Sequence, residues 1–138
     1  MSNSHDDEMK AFFPDPVVVR VADKDTKEIV NFEIGEFVFG NRIIFVKTMA
    51  SIFRELAVAH PDMIKKEGST DGIVAALIEI GGEKLIEVYA LVLGRDHDWI
   101  RRNLTLKNEV ALLTAILEVN DIPLLLSQIQ KMIKSVKV

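Results

Sequence analysis

Two short β-branched runs lie near the start of a chain whose remaining periodicity is helical, and that pairing limits the fold more than any other feature. Val17-Val18-Val19-Arg20-Val21 is followed by the polar residues 22–28 and then by Ile29-Val30-Asn31-Phe32-Glu33-Ile34. In the second run Val30, Phe32 and Ile34 alternate with Asn31 and Glu33, the period of a strand with one buried face. Two such runs across a polar break read as a hairpin. No Asn-Gly or Asp-Gly marks the turn, so a longer loop is expected. A two-stranded hairpin is marginal in water by itself and has to pack on something. Only helices are on offer. The expectation is a mainly α chain of the α+β class, with an N-terminal hairpin packed on a bundle of about five helices.

The helices follow from spacing. From Arg42 onward, Ile43, Val46, Ala50, Phe53, Leu56 and Ala57 share one helical face, with Lys47, Arg54 and Glu55 on the solvated side. Phe37-Val38-Phe39 also fits a continued strand, with Gly40-Asn41 as a turn. His60-Pro61 closes the segment, because a residue before proline avoids the helical region. Residues 61–66 read as a short helical turn, and Gly68-Ser69-Thr70-Asp71 as a loop rich in capping residues. Ile73, Val74, Leu77, Ile78 and Ile80 mark the next helix. Gly81-Gly82 interrupts it, since two adjacent glycines cost about 2 kcal/mol relative to alanine in a helix. A further helix is expected from Glu83 to Leu93, with Leu85, Val88, Tyr89 and Val92 inward and Gly94 just past its end.

Arg95-Asp96-His97-Asp98 then forms a polar corner that delivers Trp99. Thr105 is a good N-cap, but Asn108 stands where a capping box wants Glu or Gln, so the box is expected to be incomplete. Val110, Leu113, Ile116 and Leu117 fall on one stripe, widened by Leu106 and Leu112. Asn120-Asp121 breaks the pattern, and Ile122-Pro123 opens a last helix, making a helical hairpin. In that helix Leu125, Leu126, Ile129, Met132, Ile133 and Val136 form an apolar stripe. Lys131, Lys134 and Lys137 lie near its end, where positive charge suits the helix dipole. Residues 1–15 read as an acidic, flexible arm with Phe12-Phe13 as an apolar anchor, and residues 16–138 as a single domain.

Charge and composition remove several function classes. A net charge of −4 argues against a protein built to neutralise phosphates, so no nucleic-acid partner is expected. The chain has no cysteine, which excludes disulfides, thiol catalysis and cysteine-ligated zinc. No run reaches about 18 uninterrupted apolar residues, so no membrane span is expected. The acidic start has no apolar signal region, and the reading is an intracellular protein.

Few residues suggest chemistry. Asp96-His97-Asp98 sets carboxylates beside an imidazole, a metal or base motif in principle. Adjacent residues seldom point together, and His5, His60 and His97 lie in three separate segments, so a solvated loop is the stronger reading. There is no GxxxxGK(S/T) and no GxGxxG, and Ser51 lacks a nucleophile elbow. Arg101-Arg102 beside Trp99 is thin support for base stacking. Glu79, Glu83 and Glu87, four apart, read as a solvated face. The expectation is no enzyme, no catalytic or metal residue and no cofactor. An enzyme using Asp96, His97 and Glu87 ranks behind a small intracellular regulatory or antitoxin-like module that binds a protein or DNA, for which no basic recognition helix is visible.

One stretch goes further. A tryptophan at Trp99, then Asn103-Leu104-Thr105, then an apolar helix ending Glu118-Val119-Asn120-Asp121 before another helix, resembles the C-terminal part of tail assembly chaperones of long-tailed phages and prophages. Phe32-Glu33-Ile34-Gly35-Glu36 before an apolar helix is similar to that family's opening. Residues 73–93 would occupy its middle helices, and the likeness spans residues 17–135. The Gly81-Gly82 break and Phe37-Val38-Phe39 depart from the pattern. The resemblance implies a non-enzymatic protein of the bacterial host cytoplasm. It would bind and solubilise the tape measure protein, help recruit tail tube protein and self-associate as a homo-oligomer. It makes Trp99, Thr105, Leu113, Leu117, Asn120 and Asp121 a structural signature. The stripe Leu125, Leu126, Ile129, Met132, Ile133 and Val136 becomes the candidate binding surface.

Overall fold

Asp23 closes the turn on which the hairpin is built. Its carboxylate accepts from the main-chain N–H of Asp25 at 2.9 Å and of Thr26 at 3.1 Å, and its own N–H donates to the Glu28 carbonyl at 2.8 Å. Strands β1 (Val17–Ala22) and β2 (Ile29–Ile34) pair antiparallel from Val17↔Ile34 to Ala22↔Ile29. Val19, Val21, Phe32 and Ile34 face inward and are buried; Val18, Arg20, Ile29, Asn31 and Glu33 face out. A computed structural model of the chain describes residues 15–59 and 70–120. The acidic arm, the turn expected over residues 61–66, Asp121 and the helix carrying Leu125, Leu126, Ile129, Met132, Ile133 and Val136 lie outside the described residues.

After the hairpin come five α-helices among the described residues: α1 (Phe39–Ala59), α2 (Thr70–Gly81), α3 (Leu85–Leu93), α4 (His97–Asn103) and α5 (Leu106–Val119). The architecture is mainly α with one antiparallel hairpin, the α+β arrangement that the pattern predicts. Helix α5 is its hub: it packs on β1, β2 and α2, while α1 packs on α2 and α3.

Several local expectations give way. Phe37-Val38-Phe39 is not strand, because β1 begins at Val17 opposite Ile34 and nothing pairs further along. Phe37 packs instead against Phe45, ring centroids 4.8 Å apart, and the helix starts at Phe39, so that Gly40-Asn41 is its first turn and not a loop. The buried face of α1 is broader than Val46, Ala50 and Phe53; it includes Phe45, Met49 and Ile52, while Ile43 is half-buried. Thr70 and Asp71 begin α2 rather than ending a loop.

At Gly81-Gly82 the helix does break. Gly82 takes φ +49° and leads through a short 3-10 turn (Gly82–Lys84) into α3. Gly81 is small for a packing reason: a Cβ there would lie 2.7 Å from Leu85 Cγ. Helix α3 stops at Gly94, whose left-handed backbone lets its N–H reach the Ala90 carbonyl. On α5 the buried set is Leu112, Leu113, Ala115, Ile116, Leu117 and Val119. Leu106 and Val110, expected on the stripe, are 63% and 43% exposed. The face is set by the two bodies that cover α5, the hairpin and α2, and both residues fall on the flank beyond them.

Candidate functional site

The residues singled out by sequence meet the hairpin at a corner built on α4. This helix was hidden in the polar segment before Trp99; at seven residues it is too short to show a period. Asp96 is its N-cap, accepting from the Trp99 main-chain N–H at 2.8 Å. Trp99 is thereby turned inward, 8% exposed. Its indole Nε1–H donates to Asp23 Oδ2 at 3.0 Å, and its ring meets Phe32 edge-on at 5.7 Å. The Arg95 guanidinium lies 5.1 Å over the Trp99 ring and 5.6 Å over Phe32. Trp99 thus ties α4 to both the turn and the inner face of the hairpin.

Three asparagines complete the attachment, and each works the same way. Asn103, buried to 1% exposure, donates from Nδ2 to the Trp99 carbonyl one helical turn back and accepts the Lys24 N–H at 2.8 Å. Asn120 donates to the Ile116 carbonyl at 2.9 Å and accepts the Phe37 N–H at 3.0 Å. Asn108 accepts the Thr105 N–H at 3.1 Å and donates to the Arg20 carbonyl at 3.1 Å. In each, one end of the amide finishes a helix terminus and the other end holds a residue of the N-terminal segment, 79 to 88 positions away. Only a side chain carrying both a donor and an acceptor can do this.

Asn108 also corrects the expectation about the cap. The box is complete: the Asn108 N–H donates to Thr105 Oγ1 at 3.2 Å, and the Asn108 side chain returns to the Thr105 N–H. The Asn amide reaches where Glu or Gln was expected, and unlike Glu it keeps a donor for the strand. Leu113 and Leu117, the other described signature residues, are core residues of α5.

Electrostatics at the corner is modest. The Trp99 indole hydrogen bond, then the Thr26 amide, holds the Asp23 carboxyl below its ordinary value of 3.8. Between α3 and α5 Tyr89 donates to Glu109 Oε1 at 2.9 Å; burial first, then the Glu109 charge, pushes its phenol well above the usual tyrosine value. Tyr89 is therefore a hydrogen-bond donor at neutral pH.

The other groups that suggested chemistry are dispersed. Asp96 is engaged in its cap, and His97 Nε2 meets Glu87 Oε1 at 3.4 Å on the surface. Of the trio Asp96, His97 and Glu87, the fold joins only the last two. No group of three or more metal-ligating side chains occurs among the described residues. Arg101 pairs with Glu83 at 3.1 Å and Arg102 with Asp25 at 2.8 Å on the surface, and the Glu79–Glu83–Glu87 face is broken up. Ser51 accepts from Lys84 Nζ at 3.2 Å, an arrangement that would interest a hydrolase. Lys84 is also ion-paired with Glu55, so its contact with Ser51 belongs to a solvent-exposed cluster. The concavity beside Tyr89 and Glu109 holds about 150 Å³, smaller than sites for drug-sized ligands.

Asn103 and Asp23 were missed. Asn103 stands four residues after Trp99 and shares its face on α4, but that placement needs a helix too short to be read from sequence. No signal marks Asp23, which reads as one of several polar turn residues. No helix among the described residues is long and apolar enough to cross a membrane. No family model, curated protein or solved structure matches this chain.

Proposed function

We propose that the chain is a non-enzymatic tail assembly chaperone. It binds the tape measure protein of a long-tailed phage in the host cytoplasm, keeps it soluble and helps recruit tail tube subunits. One observation carries the reading: Trp99, Asn103 and Asn120 of the resemblance are attachment residues, and its remaining described signature residues are a helix cap and core positions. Trp99 and Asn103 fasten the hairpin turn to α4, Asn120 holds the segment after β2 at the end of α5, and Thr105 caps the start of α5. A motif that works in this way marks a fold and leaves the helix surfaces for partners. Large apolar side chains stand exposed on and beside α1, among them Val38, Phe39 and Val58 at 67%, 70% and 86%. Such side chains suit a protein that covers apolar stripes of a long helical partner.

Co-expression tests the reading. A tape measure protein encoded beside this chain is expected to move from the pellet to the soluble fraction and to co-purify with it; unchanged solubility and no complex would sink the proposal. Removing residues 122–138 and following mass by light scattering locates the working surface. If oligomer and complex both persist, the stripe Leu125–Val136 has no part in binding. The neighbouring genes bear on the same point, since an overlapping reading frame followed by a very long helical protein is expected.

A further inference from the structure

The hairpin has two edges, and the fold treats them differently. Along an antiparallel pair, residues alternate between main-chain groups that face the partner strand and groups that face away. Asp23 N–H donates to Glu28 O. Counting back along the register, the facing pairs are Val21↔Val30, Val19↔Phe32 and Val17↔Ile34. The outward groups are then those of Val18, Arg20 and Ala22 on β1, and of Ile29, Asn31 and Glu33 on β2. The β1 edge is closed: Asn108 donates to the outward Arg20 carbonyl at 3.1 Å, and α5 packs along the strand. On β2, the main chain of Ile29, Asn31 and Glu33 makes no hydrogen bond beyond the hairpin among the described residues. All three residues are exposed, Ile29 by 69%.

We propose that a second copy of this chain pairs with the β2 edge, antiparallel and centred on Asn31, joining two hairpins into a four-stranded sheet. The register is chosen by chemistry. Centred on Asn31, the outward residues pair as Asn31 with the partner's Asn31 and Ile29 with the partner's Glu33, the latter twice by symmetry. Each of these pairs exchanges two main-chain bonds. Moving the axis to Val30 or Phe32 keeps only two such pairs inside the strand. Moving it to Glu33 sets two carboxylates face to face. Moving it to Ile29 brings in Lys27, whose φ of +63° is not strand. On the inner face, half-buried Val30 lies across from the partner's Phe32, so the apolar layer continues from one copy to the next. The interface follows from strand geometry and does not depend on the tail-assembly reading.

Sedimentation equilibrium and amide hydrogen exchange on the full chain test it. The expected result is a concentration-dependent dimer in which the amides of Ile29, Asn31 and Glu33 exchange more slowly. Asn31→Pro removes an outward donor and no bond of the β1–β2 ladder. That variant is expected to keep its circular dichroism and to sediment as a monomer. Ile29→Glu sets a carboxylate against the partner's Glu33 at two places and weakens the dimer about tenfold. Adding Glu33→Lys restores it, because each new charge then meets its opposite. This charge pair decides the matter even if the proline variant fails to fold. A chain that is monomeric at every concentration overturns the proposal. So does a dimer untouched by the charge substitutions, or one that leaves these three amides unprotected.

Discussion

Asn103 is the residue on which the corner depends most. It is the one buried polar side chain among the described residues, and both ends of its amide are used. Leucine has similar volume but would leave the Lys24 N–H without its acceptor. Leaving a buried donor unmet costs about 1–3 kcal/mol, so Asn103→Leu is expected to lower unfolding free energy by about 2 kcal/mol in urea melts. Asp23 adds a dependence on pH. Its carboxyl is lower in the folded chain than its ordinary value of 3.8. Such a group adds stability above the unfolded value, and that part is lost as pH falls through the folded one. Melts taken at a series of pH values are expected to run parallel for wild type and Asp23→Asn above about pH 5. Below that, the wild type should lose stability faster. Parallel loss over the whole range would mean that the carboxylate contributes nothing.

Between residue and fold stand the helix termini, where one side chain serves two elements. Thr105→Ala removes only the cap and is expected to cost about 1 kcal/mol. Asn108→Glu separates the two tasks of that side chain: glutamate suits the third helical position, but it cannot donate to the Arg20 carbonyl. Helix content should hold while stability falls by about 1 kcal/mol, a difference that circular dichroism and urea melts separate. The sequence carried the elements themselves because their periods are long and their breaks sharp: alternation over Val30–Ile34, helical spacing after Arg42, glycines at 81, 82 and 94. It did not carry α4, which is too short to show a period. It also misjudged which flank of α5 is covered, since Leu106 and Val110 differ from Leu113 only in what lies opposite. Of the attachment the sequence singled out Trp99 and Asn120, but not what either one bonds. An asparagine that bonds a main-chain group 79 or more residues away leaves no local trace.

At the scale of the molecule, α5 touches the hairpin and α2 together, beside the link that Trp99 and Asn103 make from α4. A cavity in it should weaken both at once. Ile116, fully buried, is the place to make one: Ile116→Ala is expected to cost about 2–5 kcal/mol. The chain's single tryptophan reports the hairpin corner, and far-ultraviolet dichroism reports the helices. In that variant the two signals should still change together on denaturation; separate midpoints would mean that the hairpin comes away first.

The span of those attachments also bears on how the chain is made. The hairpin leaves the ribosome before the helices that hold it: Asn103, Asn108 and Asn120 follow their main-chain partners by 79, 88 and 83 residues. At translation rates of about 5–20 residues per second, the strands wait roughly 4–18 s for the helices that hold them. During that interval both edges of the hairpin are bare and its apolar face is wet. The newborn chain is most prone to stray association then, and slow codons between the hairpin and α4 would lengthen the exposure.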